Sequence, residues 1–192
     1  WMKGYNMERV KNYGQWYGLT FAITYFYNVY GTGEISHGPY STLIGIFSEE
    51  FRQGQPLTVT APGTQARNFT HVDDIVDGLI LVGDKGEGDE FGLGAEQAFS
   101  VMDVAKMFGA PVVMLPERRG NRLTSQADTS RARALGWEQK HRLDEYIRDF
   151  IAKTERLAGE DKRVLVFSTT FYPVQGLAEK ALLKLIDRKS VV

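Results

Sequence analysis

The chain has 192 residues, enough for one domain with a sizeable core or for one domain and a fraction. Hydrophobic residues make up 43% and charged residues 24%, a composition typical of folded globular proteins that excludes a disordered one. The 23 lysines and arginines almost balance the 24 aspartates and glutamates, which excludes a strong general attraction to nucleic acid or to anionic membranes.

Cysteine is absent from the sequence, and this excludes disulfides, thiolate nucleophiles and zinc sites built on cysteine. No apolar run approaches the roughly 20 residues that a bilayer crossing needs. We therefore expect a cytoplasmic protein with neither a membrane nor a nucleic acid as partner.

The first predicted element is a helix over residues 2–17, where apolar side chains recur every three or four residues until Gly18. Residues 19–29 are mostly aromatic or β-branched and carry no charge. This pattern predicts a parallel strand that is buried on both faces. A glycine-containing loop over residues 31–40 and a helix over about 41–53 are predicted to follow.

The middle of the chain predicts short strands alternating with helices. Asp73 and Asp74 are predicted to cap one helix, and Ser100 with Asp103 the next. Asp128 is assigned to the same structural role before a third helix. The strands are expected at residues 57–60, 67–72, 90–93 and 112–115, and the helices at about 73–81, 100–108, 130–135 and 143–157.

Histidines stand at three scattered positions, His37, His71 and His141, without metal-ligand spacing, so we expect no metal site. A polar run at 158–162 predicts a linker that closes a first domain over 1–157. Residues 163–192 then predict one extra β-loop-α unit, which is too small to be a domain.

Five motifs occur in a fixed order along the first two thirds of the chain. They are Lys3 in the first helix, Tyr25–Gly31, Arg67–Asp74, Phe91–Gly94 and Ala127–Ala132. Their order resembles the extended short-chain dehydrogenase/reductases, specifically the NAD-dependent epimerase/dehydratase family and its UDP-glucose 4-epimerase-like members. The resemblance implies an α/β fold, namely the C-terminal portion of an extended Rossmann-type structure with its substrate-binding subdomain.

Lys3 resembles the lysine of the family's Tyr-x-x-x-Lys pair, and the resemblance implies a catalytic residue that also contacts the NAD ribose. A phenol with a pKa near about 10 is a poor base at neutral pH unless a nearby cation favours its ionised form. The matching tyrosine and the family's glycine-rich turn lie outside this chain, so we expect the chain alone to have no turnover. Without the accompanying motifs, Lys3 would read as a solvated helix lysine.

Other roles also follow from the resemblance. Phe26 and Tyr27 are expected beside the nicotinamide, and the alternative is that these aromatic side chains only fill a core. Asn28 is expected near the sugar diphosphate, since asparagine is a poor strand residue. Arg67 is expected to bind the diphosphate through charge-assisted hydrogen bonds, with a surface ion pair as the alternative.

Arg118 and Asn121 fall where the family commonly has Arg-x-Gly-Asp, a motif that contacts phosphate and the nucleoside ribose. Asn121 replaces the acid of that motif. Thr32 and Asn68 also replace residues common in the family, a proline and an aspartate, and remove no catalytic group.

The tail is similar to the start of two-Rossmann nucleotide-sugar glycosyltransferases, through its strand at 163–168, Tyr172–Pro173 and Gly176. Leu177 occupies the place of the usual second glycine. A generic Rossmann start fits this segment equally well.

The resemblance implies that this chain is part of an NAD-dependent nucleotide-sugar epimerase, which acts on a UDP-sugar through a 4-keto intermediate. A homodimer is expected for the intact enzyme. A nucleotide-sugar 4,6-dehydratase is the alternative within the family. A non-catalytic nucleotide-sugar-binding module fused to a glycosyltransferase is the alternative outside it.

Overall fold

The computed structural model describes residues 2–117 and 128–159, and the chain up to Gly159 forms one compact unit. Its helices are α1 Met2–Tyr17, α2 Leu43–Arg52, α3 Val72–Lys85, α4 Val101–Phe108, α5 Ser130–Ala134 and α6 Leu143–Gly159. Its strands are β1 Ala22–Phe26, β2 Val29–Tyr30, β3 Leu57–Thr60, β4 Ala66–Asn68, β5 Thr70–His71, β6 Gly88–Leu93, β7 Ala98–Ser100 and β8 Val112–Leu115. No helix of this described part has the length and apolar character to cross a bilayer. The predicted β-loop-α unit at 163–192 lies outside the described residues.

Within residues 2–117 and 128–159 the strands form four pairs, three of them parallel. β1 pairs with β6, β2 with β5 and β3 with β8 in parallel, while β4 and β7 pair antiparallel. Parallel partners require crossover connections, which here contain the helices. The predicted α/β class is confirmed.

The segment at 19–29 differs from its prediction. It divides into β1 and β2 because Asn28 adopts φ 49° and breaks the extended backbone between them. Most of β1 is half-buried and Phe26 at its end is 43% exposed, so the prediction of one strand buried on both faces is wrong. Aromatic and β-branched residues indicate a strand, but they do not specify what covers each face.

The start of α3 also differs from its prediction. His71 is the N-cap, and its ring Nδ1 accepts a hydrogen bond from the Asp73 amide at 3.2 Å. Asp73 and Asp74 therefore lie inside the first turn and are not the caps. The predicted strand at 67–72 is interrupted at Phe69, giving β4 and β5.

The larger core lies among α2, α4, α6 and β3. Phe47, Val59, Val104 and Ile147 are fully buried there, and Phe108 packs edge-on against Phe47. The predicted Ser100–Asp103 capping box opens α4 and orients its apolar face towards this core. A smaller core joins α3 to β6 and α5 through Ile75, Leu93, Ala132 and Trp137.

Candidate functional site

A cleft of about 550 Å³ opens beside the larger core. Part of its lining is apolar and belongs to that core, through Ile44, Phe69 and Val101. The remaining lining is mostly polar. It comprises Asn28, Val29, Glu34, Ser41, Thr42, Leu43, Ile46, Thr58, Thr60, Gln65, Arg67 and Leu115. A concave site of this size, with a few polar groups on an apolar base, is typical of small-molecule binding.

Two of the predicted binding residues, Asn28 and Arg67, lie in this one cleft. Asn28 tolerates its left-handed backbone because a short amide side chain relieves part of the strain. Its carbonyl accepts the Thr70 amide at 3.3 Å, which fixes the turn against β5. The turn therefore presents the Asn28 side chain at the end of β1, where a parallel strand commonly carries functional groups.

Arg67 lies on β4 and is half-buried. Its Nη1 donates to the Ala66 carbonyl at 2.8 Å. The ion pairs found over 2–117 and 128–159 do not involve Arg67, so the surface ion pair considered as an alternative is absent from that part of the chain. A half-buried guanidinium without a carboxylate partner is suited to binding an anion.

Glu34 organises the loop between β2 and α2. Its carboxylate accepts the Gly31 amide at 2.8 Å and the hydroxyl of Thr42, and burial raises the pKa of this carboxyl. Thr42 in turn caps α2 by accepting the Gly45 amide at 3.1 Å. Glu34 is not among the residues predicted from the sequence, because its only signal there is an acidic residue inside a glycine-containing loop.

Glu50 of α2 forms hydrogen bonds to β3, the strand that lines one side of the cleft. Its two carboxylate oxygens accept the Thr58 amide at 2.9 Å and the Thr58 hydroxyl at 2.6 Å. Gln65 is buried and donates to the Thr60 carbonyl at 3.1 Å. These contacts were not anticipated, because they join residues whose proximity depends on the packing of α2 against β3.

The other three described site residues lie outside the cleft lining. Lys3 is exposed on α1, and Phe26 and Tyr27 at the end of β1 are 43% and 44% exposed. Tyr27 lines a second, shallower depression beside α1. Arg118 and Asn121 fall outside the described residues.

A group of three polar side chains links helix α1 to strands β1 and β6. The Lys11 ammonium lies 2.7 Å from the Asp89 carboxylate, which also accepts the Tyr25 hydroxyl at 2.7 Å. That hydrogen bond to Asp89, with some desolvation, raises the pKa of Tyr25 to about 12. Tyr25 is therefore a protonated structural donor at neutral pH.

Two histidines far apart in sequence meet at the start of α3. The rings of His71 and His141 stack with centroids 4.4 Å apart. Asp74 is fully buried beneath them and accepts the backbone amides of Lys140 and His141 at 3.2 and 3.0 Å. The expectation of no metal site rested on spacing along the chain, whereas the fold brings two of the three histidines together.

Residues 2–94 match the model of the NAD dependent epimerase/dehydratase family. A UDP-glucose 4-epimerase of Mycolicibacterium smegmatis is 33% identical over 128 residues, which cover 62% of this chain and 41% of that protein. UDP-glucuronic acid decarboxylase 3 of Arabidopsis thaliana is 28% identical over 142 residues, covering 70% of this chain and 41% of the relative.

Among solved structures, the chain is similar to a UDP-glucose 4-epimerase from Thermotoga maritima determined with UDP-glucose. The TM-score is 0.71 at 26% identity, over 79% of this chain and 51% of that one. The chain thus spans about two fifths of the two curated relatives and about half of the solved structure.

Proposed function

We propose that this chain, whose residues 2–94 belong to the NAD dependent epimerase/dehydratase family, provides the nucleotide-sugar-binding part of a UDP-sugar 4-epimerase. The observation that carries this proposal is that Asn28 and Arg67 share one cleft of about 550 Å³. Epimerisation is favoured within the family because a relative at 33% identity and a structure at 26% identity are both UDP-glucose 4-epimerases.

In this cleft Arg67 binds the diphosphate. Its guanidinium forms charge-assisted hydrogen bonds to phosphate oxygens, and partial burial strengthens them by reducing solvent screening. The Asn28 amide, at the end of β1, donates to the sugar-diphosphate portion of the ligand. The apolar surface of Ile44, Phe69 and Val101 packs against the uncharged faces of the ligand.

Lys3, Phe26 and Tyr27 hold NAD in this proposal. They fit that role because all three are exposed, with a cation on α1 and aromatic faces at the carboxyl end of β1. NAD bound there would supply reversible hydride transfer with the sugar carbon. The Lys3 ammonium would hydrogen-bond the ribose and would favour the ionised form of the tyrosine of the Tyr-x-x-x-Lys pair. Loss of the sugar 4-hydroxyl proton to that phenolate, together with transfer of the hydride on C4 to the cofactor, would give the 4-keto intermediate.

Substitution of Arg67 tests the diphosphate site. We expect the 192-residue chain to bind UDP and UDP-glucose in isothermal titration calorimetry, and Arg67→Gln to weaken both by about tenfold or more, the value of a lost hydrogen bond to a charged group. The matched control is Arg148→Gln, because Arg148 is exposed on α6, outside the cleft lining.

Equal loss of affinity in the two variants would show a general charge effect and would count against the site. Failure of the unsubstituted chain to bind UDP at millimolar concentration would overturn the proposal. Because UDP carries the diphosphate without the sugar, parallel losses for UDP and UDP-glucose assign Arg67 to the diphosphate.

A further inference from the structure

The cleft contains one basic and one acidic side chain that do not neutralise each other. Of the described residues that line it, only Arg67 is basic and only Glu34 is acidic. Arg67 lies on β4, and Glu34 lies in the loop between β2 and α2. No ion pair joins them within the described ranges 2–117 and 128–159, so each group is left to act separately on a bound ligand.

The groups around Glu34 favour a carboxylate rather than a carboxylic acid. One oxygen accepts the Gly31 amide at 2.8 Å, and the other accepts the hydroxyl of Thr42, the N-cap of α2. Burial raises the pKa of this carboxyl, and the two hydrogen bonds oppose that rise. The positive end of the α2 dipole also favours a negative charge here. Glu34 therefore places a negative charge on the wall of the cleft.

Glu34 belongs to the part of the lining that is assigned to the sugar. Asn28, Glu34 and Thr42 all lie on the chain segment that runs from the end of β1 to the start of α2. Arg67 belongs to a different part of the lining, on β4. A ligand whose diphosphate binds Arg67 and whose sugar reaches Asn28 therefore brings its sugar to the segment that carries Glu34.

A carboxylate in this position discriminates between sugars by charge. Each oxygen of Glu34 accepts one of the hydrogen bonds above and retains a further lone pair, which can accept a sugar hydroxyl. A second carboxylate is repelled, and the repulsion is strong because the cleft is partly shielded from water. A uronic acid carries such a carboxylate at C6, whereas a neutral hexose has a hydroxymethyl group there.

We propose that Glu34 is a specificity-determining residue, which selects nucleotide sugars with a neutral sugar and rejects nucleotide uronates. This inference rests on the proposed function, because it requires the nucleotide sugar to lie between Arg67 and Asn28. It adds the substrate class that the cleft accepts.

Calorimetric titration of the full 192-residue chain with UDP-glucose and UDP-glucuronate tests this role. The two ligands differ only at C6, and we expect UDP-glucose to bind at least about tenfold more tightly. Glu34→Gln removes the charge and keeps the shape of the side chain. It should narrow that ratio by at least about fivefold, by tightening the binding of UDP-glucuronate. The matched control is Glu138→Gln, because Glu138 is exposed and lies outside the cleft lining.

A narrowed ratio in Glu34→Gln, with the ratio of Glu138→Gln unchanged, supports the role. Equal affinities of the unsubstituted chain for the two sugars, or a ratio that Glu34→Gln leaves unchanged, overturn it. The proposed function survives either result as long as UDP and UDP-glucose bind. Failure of UDP and UDP-glucose to bind overturns the proposed function and this inference together.

Glu34→Gln also alters the hydrogen bonds to Gly31 and Thr42, and circular dichroism shows whether the variant is folded. If it is not, the uncharged amide of UDP-glucuronate decides the question in the unsubstituted chain. The amide has the size of the carboxylate without its charge, so repulsion by Glu34 predicts that it binds as tightly as UDP-glucose. An amide that binds as weakly as UDP-glucuronate overturns the role, because size rather than charge would then cause the rejection.

Discussion

The protonation of His71 matters for the stability of the junction between β5 and α3. Burial, and next the neighbouring His141, lowers the pKa of His71 below its ordinary value of 6.5. The unfolded chain therefore binds a proton at a higher pH than the folded chain does, so stability falls as the pH is lowered through 6.5 and towards the folded pKa. We expect the urea midpoint of unfolding to be lower at pH 5.5 than at pH 7.5.

A substitution separates the contribution of His71 to the pH dependence of stability from that of the other histidines. Asparagine is a good N-cap and does not titrate, so His71→Asn should keep α3 capped while flattening the pH dependence between 5.5 and 7.5. His37→Asn, in an exposed loop, should leave the dependence unchanged. If the urea midpoint of His71→Asn changed between pH 5.5 and 7.5 as much as that of the unsubstituted chain, the pH effect would belong to other groups.

At the scale of elements, the loop over residues 31–42 and helix α2 fit together closely at Gly45. A Cβ there would lie 2.7 Å from the Ile35 carbonyl oxygen and 2.8 Å from the Thr42 hydroxyl. Gly45→Ala should therefore destabilise the protein by about 1–3 kcal/mol, the usual cost of overpacking. Because Thr42 and Glu34 line the cleft, we also expect weaker UDP binding.

The same substitution at Gly83 is a control with the opposite expected sign. Gly83 lies in α3, and a Cβ built there meets no atom within 4 Å. Gly83→Ala should stabilise the protein by up to about 1 kcal/mol, because alanine has the higher helix propensity. Chemical denaturation measures both effects. Equal stability of the two variants would show that the loop adjusts to the added methyl group.

At the scale of the whole molecule, exposed apolar side chains are concentrated on α1 and on the following segment at residues 19–27. Leu19, Phe26 and Tyr27 are exposed, as are Trp16 and Tyr17 at the end of α1. A patch of this kind favours association. We expect sedimentation velocity to show concentration-dependent self-association, and a Trp16→Ser, Leu19→Ser double variant to reduce it.

The control for this association is Tyr40→Ser. Tyr40 is 82% exposed but lies in the loop before α2, away from α1 in sequence, so its replacement should leave association unchanged. A monodisperse unsubstituted chain across the micromolar range would show that the exposed surface does not act as a contact.

The sequence by itself determined the elements whose signals lie within a few residues of each other. The bounds of α1, β3 and β8 agree with their predictions, as does the Ser100–Asp103 capping box of α4. Helical periodicity, caps and strand alternation act over three or four positions, so they are visible along the chain. The family motifs also named Asn28 and Arg67 as candidate binding residues, and the fold places both in one cleft, where their role stays a prediction.

Only the tertiary structure decided what covers β1, which residue caps α3 and which side chains meet across the chain. Asp74 read as a helix cap, yet it is buried against the segment before α6 and binds the amides of residues 140 and 141. His71 and His141 are 70 positions apart and stack only because α3 and that segment pack together. Such contacts depend on burial and on the paths of the intervening elements, and neither is encoded in local periodicity.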